Sequence, residues 1–120
     1  MPEEVTISDE CKFIHIKSYG KIADEDFRST LEAIHKIRQD QGLTKVLVDA
    51  TEVLSYPSGT LISCFGSDAA DLLNGLGISL AIVASPKATE DPEFFKHITI
   101  RRGLSTRVFG TLDAALLWLD

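Results

Sequence analysis

In the first part of the chain, apolar residues first alternate with polar ones and then recur with the spacing of a helix. Apolar and polar residues alternate within 4–8 and again within 12–18, with an acidic pair at 9–10 between them. Alternation is typical of strands, and the acidic pair predicts the tight turn of a β-hairpin. From Asp24 the apolar residues recur with helical spacing until Gly42, which predicts an amphipathic helix.

The rest of the chain alternates short apolar runs with segments of helical periodicity. Strands are predicted at 46–49, 78–84 and 106–109, and helices at 58–74, 91–102 and 111–119. Asp91 followed by Pro92 is an ordinary helix start. Gly103 is an ordinary helix stop, and Thr111 is placed to cap the last helix. The predicted order is β-β-α-β-α-β-α-β-α, a single α/β domain over residues 1–120 with a mostly parallel sheet and one antiparallel strand.

The composition fits one globular domain of 120 residues, of which 44% are apolar. The net charge of −6, without a basic run, disfavours nucleic acid and anionic membrane surfaces as partners. The longest apolar stretch, at 76–84, is too short for stable membrane insertion, and residues 1–4 lack the pattern of a signal peptide. Cys11 and Cys64 are expected to be reduced structural thiols, so a cytoplasmic protein is predicted.

Three segments carry a resemblance to a known family. They are the turn into an acidic helix start at 20–27, the strand at 46–49 with Ser58-Gly59 downstream, and a closing part made of 102–103, 108–109 and 114–119. In this order and spacing the chain resembles the STAS domain, in particular the SpoIIAA-like (STAS/SEC14-type) family related to anti-sigma-factor antagonists. The resemblance implies a single-domain STAS/SpoIIAA-like sandwich and a regulatory role.

The same resemblance points to Ser58. In anti-sigma-factor antagonists an Asp followed by Ser-Ser-Gly lies at the start of the helix after the third strand, and the serine before the glycine is phosphorylated by a partner kinase. Here Tyr56 and Pro57 stand in place of the Asp and the first Ser, followed by Ser58 and Gly59. Ser58 is therefore a phosphoacceptor candidate, whose phosphate the helix N-terminus would stabilise. An N-cap hydroxyl contributing about 1 kcal/mol, or a ligand contact, are the alternatives.

Polar residues follow the carboxyl ends of two predicted strands, where open parallel sheets bind ligands. Loops are predicted at 49–58, 85–90 and 110–111. The residues expected to form a ligand- or partner-binding rim there are Asp49, Glu52, Tyr56, Ser58, Gly59, Ser85 and Lys87. Lys87 is the one cation of this set and is suited to an anion. An ordinary solvated or capping role for Asp49 and Glu52 is the alternative.

No motif in the sequence indicates an enzyme, a metal or a cofactor. His15, His35 and His97 are scattered over a strand and two helices without metal-ligand spacing. A Gly-x-Ser-x-Gly nucleophile elbow is absent from the sequence. We therefore expect a non-catalytic protein without cofactor, and an enzyme would have to depend on Asp49, Glu52 and Lys87.

Two features of the predicted helices concern packing. Gly66 interrupts the second helix and is expected to permit close packing on the sheet. Phe94 and Phe95 are adjacent on a helix, so one of them should be buried and the other partly exposed. Together with Trp118 they form either a cluster that closes the core, a homodimer or partner surface, or the lip of a lipid-sized pocket.

The sequence thus predicts a non-catalytic regulatory module that binds a protein partner, such as a kinase or an anti-sigma-like regulator, around Ser58. The alternative is a small-molecule or lipid-binding carrier domain of the STAS/SEC14 type. This alternative requires an apolar cavity between the helices and the sheet.

Overall fold

The computed structural model describes residues 3–8, 13–22, 24–55, 59–73, 75–84, 90–101 and 103–119. Their secondary structure follows the predicted order. The elements are β1 (Glu3–Ile7), β2 (Ile14–Lys21), α1 (Asp24–Gln41), β3 (Lys45–Ser55), α2 (Gly59–Leu73), β4 (Ser79–Ala84), α3 (Glu90–Arg101), β5 (Ser105–Phe109) and α4 (Leu112–Leu119).

The five strands form one sheet in the order β1-β2-β3-β4-β5. β1 is antiparallel to β2, and the pairs β2–β3, β3–β4 and β4–β5 are parallel. The predicted α/β fold, with a mostly parallel sheet and one antiparallel strand, is confirmed. Because four strands run the same way, their last residues lie at one edge of the sheet: Lys21, Ser55, Ala84 and Phe109.

The two faces of the sheet are covered unequally. On one face the larger core packs α1, α2 and α3 against the sheet, with Ile34 and Leu73 meeting strand residues such as Ile16. On the other face Ala115 and Leu119 of α4 pack against Leu47, Ala81 and Val83. The part of this second face that lies on β1 and β2 carries polar residues, so the fold leaves a polar sheet surface beside α4.

β3 is longer than its sequence pattern predicts. The strand does not end at Asp49 but continues to Ser55, so the predicted loop at 49–58 is wrong over most of its length. The register against β2 shifts twice, first between the pairs Lys17–Asp49 and Tyr19–Glu52. Each shift places one extra residue on β3, as in a β-bulge. A bulge interrupts the alternation of apolar and polar residues, which is why the pattern does not reveal the strand's second half.

Gly66 lies against a helix and not against the sheet as predicted. A Cβ at this position would lie 2.7 Å from Ile98 Cγ2 of α3. The missing side chain therefore sets the separation of α2 and α3.

The predicted helix borders need one small correction. Thr111 caps α4 as predicted, because its Oγ1 accepts the backbone N–H of Ala114 at 3.3 Å. α3 begins at Glu90, one residue before the predicted N-cap Asp91. Pro92 then lies inside the first turn, where a missing N–H removes no hydrogen bond of the helix. Gly103 follows α3 with a φ of 92°, the left-handed conformation of a helix stop.

Candidate functional site

The predicted rim is described in part. Asp49 and Glu52 lie within β3, and Gly59 is the first residue of α2. Tyr56, Ser58, Ser85 and Lys87 lie outside the described residues. The described residues next to the rim are therefore the carboxyl ends of β3 and β4, at Ser55 and Ala84, and the start of α2.

The Asp49 side chain is bound to its own strand. Its Oδ1 accepts the Thr51 backbone N–H at 3.1 Å and the Thr51 hydroxyl at 2.7 Å. This pattern of a carboxylate bonded two residues onward is typical of Asp in irregular backbone. Asp49 lies next to the first register shift of β3, so its contacts stabilise that irregular segment.

Glu52 pairs with a cation that the sequence analysis did not select. Lys17 Nζ of β2 lies 2.9 Å from Glu52 Oε2, with the two side chains 41% and 61% exposed. The hydrogen bond to Glu52 raises the pKa of Lys17, and the charges of Glu52, Asp49 and Glu4 raise it further, while desolvation opposes them. Lys17 occupies a polar position in an alternating strand, but its pairing depends on the β2–β3 register, which no sequence motif encodes.

A cavity that is partly open to solvent lies on the opposite face of the sheet. It has a volume of about 60 Å³ and is lined by residues of β1, β2, β3, β4 and the helices α1, α2 and α3. Its walls are mostly apolar, with Ile16, Phe27, Leu31 and Ile82 among them. A cavity between helices and sheet is what the small-ligand alternative requires, although this one is much smaller than a lipid chain.

One end of the cavity is polar. Glu3 of β1 lines it together with Ser18 of β2 and Thr30 of α1. The Ser18 hydroxyl donates to Glu3 Oε2 at 2.5 Å, and the Thr30 hydroxyl donates to Glu3 Oε1 at 2.7 Å. Burial raises the pKa of Glu3, the two hydroxyl donors lower it, and the nearby charge of Asp26 raises it; burial dominates.

Glu3 was missed by the sequence analysis. The available signal is that it precedes Val5 and Ile7 at the same alternate positions of β1, which places it on the buried face. A carboxyl group at the start of a strand is ordinarily solvated, so alternation alone does not distinguish this one.

The aromatic residues close the core on both faces. Phe95 is 6% exposed and lies edge-on to Phe27, with ring centroids 5.4 Å apart. This confirms that one of the adjacent phenylalanines is buried. Trp118 packs against the α4 side of the core, 5.8 Å from the Phe109 ring. A cluster that closes the core accounts for these contacts, and the homodimer surface stays a prediction.

The described residues contain no group of three or more His, Cys, Asp and Glu side chains arranged to hold a metal ion. Their helices also include none with the length and apolar character needed to cross a bilayer.

The element order, the sheet and the helix layers together define the SpoIIAA-like fold. An uncharacterised DUF3478-family protein from Shewanella loihica PV-4 with this fold has a TM-score of 0.62 and 18% identity, covering 98% of this chain and 92% of that one. The anti-sigma factor antagonist SpoIIAA in its unphosphorylated form has a TM-score of 0.65 and 9% identity, covering 95% and 92%. An anti-sigma factor antagonist from Mycobacterium paratuberculosis has a TM-score of 0.63 and 19% identity, covering 98% and 93%.

No family model and no curated protein matches the sequence. At these identities the structural likeness establishes the fold alone. Function has to be argued from the residues of this chain, because one fold carries many functions.

Proposed function

We propose that the protein is a non-catalytic, cytoplasmic regulatory module that binds a protein partner through the loop and helix start around Ser58. The likeness of the fold to two anti-sigma factor antagonists carries this proposal. The partner would be a kinase, an anti-sigma-like regulator or a protein of similar role. The rim around Ser58 would consist of Tyr56, Gly59, Ser85 and Lys87 beside the exposed Glu52.

Phosphorylation of Ser58 is the regulatory step in this proposal. α2 begins at Gly59, directly after Ser58 in the chain, and its first turn contains no acidic residue. A phosphate of charge about −1.5 to −2 next to that turn would meet the positive end of the helix dipole. The same added charge would repel an acidic partner surface, so modification would release such a partner.

We do not propose catalysis by Asp49 and Glu52. The Asp49 carboxylate is bonded to Thr51, and Glu52 is paired with Lys17. Glu52 is exposed and Asp49 is partly exposed on the sheet, positions that suit contact with a partner better than proton transfer, which is favoured by a shielded site.

The first experiment is the intact mass of the protein isolated gently from its own host, with phosphopeptide mapping of residues 46–73. A phosphate on Ser58 across growth conditions is the expected result. Ser58→Asp and Ser58→Ala proteins are then compared in partner capture, with Ser29→Asp as the matched control because Ser29 is exposed on α1. Loss of a partner by Ser58→Asp alone supports the proposal; capture of every partner at the wild-type level by Ser58→Asp contradicts it.

The cavity supports a second candidate function, a small-molecule-binding domain of the STAS/SEC14 type that takes a small apolar ligand. Its mostly apolar walls between the helices and the sheet are the specific observation in favour of this candidate. Native mass spectrometry of the purified protein tests it. A retained molecule of defined mass is expected, and repeated observation of the bare polypeptide mass counts against a tightly held ligand.

A further inference from the structure

The polar end of the cavity has an unusual composition. Among the described residues that line it, Glu3 is the one charged side chain, and no Lys or Arg is present. A carboxyl group next to apolar walls is costly to ionise unless its oxygens are hydrogen-bonded. Ser18 and Thr30, which are 3% and 8% exposed, supply one hydroxyl donor to each oxygen. The group is therefore fixed in place.

Glu3 keeps hydrogen-bonding capacity beyond these two contacts. An ionised carboxylate has about four lone-pair sites, and the two hydroxyls occupy two of them. In the ionised state the remaining capacity is for donors only, because a carboxylate does not donate. Asp26 adds a second negative charge close to Glu3. A bound molecule must therefore present a donor, and a positively charged donor would be attracted most strongly.

The shape of the site sets the rest of the ligand. Glu3 is partly exposed, whereas Ile16, Leu31 and Ile34 at the cavity wall are buried. A ligand would thus have its head at Glu3 and its apolar part inside. An enclosed apolar cavity of about 150 Å³ admits benzene. With about 60 Å³, this cavity suits a short linear chain and not an acyl lipid.

We propose that the cavity is a binding site for a short-chain alkylamine, with the ammonium group on Glu3 and the alkyl chain between α1 and the sheet. This inference rests on the second candidate function and specifies the ligand class. A carboxylate of the same length is excluded by charge, and an alcohol of the same length binds more weakly because its hydroxyl is a neutral donor.

The experiment is a titration of the ¹³C-labelled methyl groups of Ile16, Leu31 and Ile82, which line the cavity. The probes are ethylamine, ethanol and acetate at one ionic strength and at one pH where a carboxyl ¹³C titration shows Glu3 ionised. Ethylamine is expected to bind about tenfold more tightly than ethanol, as charge-assisted hydrogen bonds are roughly twice as strong as neutral ones. Acetate is expected to leave the three methyl signals unchanged.

Two variants separate the cavity from the acidic surface of the protein. Glu3→Gln keeps the shape and an acceptor but removes the charge, so ethylamine should lose its advantage over ethanol. Glu4→Gln is the matched control, because Glu4 is the adjacent residue of β1 and is exposed on the other side of the strand. It should keep that advantage. Ala50→Val adds two methyl groups at the cavity wall and should abolish binding of both probes. Thermal melts confirm that each variant is folded.

The outcomes distinguish the two levels of the proposal. Equal binding of ethylamine and ethanol, or binding of acetate, overturns the assignment of Glu3 as an ammonium site while the small-ligand function stands. Absence of cavity methyl shifts with all three probes at saturating concentration overturns both. Neither result bears on partner binding at Ser58, which is tested separately by phosphopeptide mapping.

Discussion

Gly66 of α2 and Ile98 of α3 touch at a distance that only a glycine permits. A Cβ at position 66 would be 2.7 Å from Ile98 Cγ2 and 2.9 Å from Ile98 Cβ. Both atoms are close to the Ile98 backbone and cannot swing away as the end of a long side chain would. The close packing of α2 against α3 therefore depends on the absence of a side chain at position 66.

Gly66→Ala is expected to destabilise the protein although alanine favours a helix by about 1 kcal/mol. Relief of the clash requires the helices to separate, and overpacking of this kind costs about 1–3 kcal/mol. Urea unfolding of the variant and the wild type measures the difference. Ile98→Gly provides the control background, because it removes both Ile98 Cγ2 and Ile98 Cβ, and there the same change should cost far less or stabilise the protein. An equal cost in both backgrounds would show that Ile98 is not the obstacle.

A buried pair of hydroxyls joins α3 to β5. Thr99 Oγ1 donates to Thr106 Oγ1 at 2.8 Å, and the two residues are 0% and 4% exposed. Thr99→Val leaves the Thr106 hydroxyl without this partner, which should cost about 1–3 kcal/mol. The Thr99→Val/Thr106→Val double variant should recover part of this loss, because no hydroxyl remains unpaired. Unfolding free energies that add across the two single variants would contradict the coupling.

The stability of the protein should depend on Glu3 through pH. Its pKa is raised above the ordinary value of 4.5, so the folded protein holds this proton to a higher pH than the unfolded chain. The contribution of neutral Glu3 is fully present below pH 4.5 and is lost as pH rises through the raised pKa. Relative to Glu3→Gln, the wild type should therefore lose stability from acid toward neutral pH, as measured by thermal melts.

Ser18→Ala provides the companion test for Glu3. The Ser18 hydroxyl stabilises the ionised carboxylate, so its removal should raise the pKa of Glu3 further and move the loss of stability to higher pH. A carboxyl ¹³C titration follows this group directly. A Glu3 pKa at or below 4.5 in the wild type would refute the dominance of burial.

The Lys17–Glu52 pair is expected to influence titration more than folding. Glu52→Gln removes the largest cause of the raised Lys17 pKa, so this pKa should fall toward 10.5. Asp49→Asn should lower it less, because Asp49 contributes only through its charge. Any stability from the pair is present below pH 10.5 and lost as pH rises through the raised pKa, and both side chains are exposed to screening. NMR titration of the Lys17 side chain in the wild type and the two variants measures these pKa changes. An unchanged Lys17 pKa in Glu52→Gln would contradict the prediction.

The sequence was sufficient for the element order and the direction of the strands, because these follow from periodicity. Helical spacing begins at Asp24, and β-branched runs mark the central strands. The sequence was insufficient for β3 beyond Asp49, since a bulge breaks the alternation on which the prediction depends. Contacts between helices, such as that of Gly66 with Ile98, depend on the tertiary fold, and no local sequence pattern predicts them.

The candidate sites show the same division. Ser58 and the rim residues are selected by local context, namely a strand end followed by a helix start. Glu3, Ser18 and Thr30 come from three different elements and meet through strand register and helix packing. Residues that are brought together in this way show no characteristic spacing in the sequence, so a motif search does not detect them.

The sheet adds its strands in the order in which the chain is made, so each new strand finds its neighbour already present. α4 is the last of the described elements in the chain. Its residues Ala115 and Leu119 pack over Leu47, Ala81 and Val83 of the sheet. A folding intermediate with all five strands paired and α4 not yet docked would expose this apolar stripe to water. Such an intermediate, more than the folded protein, is therefore the species prone to aggregation.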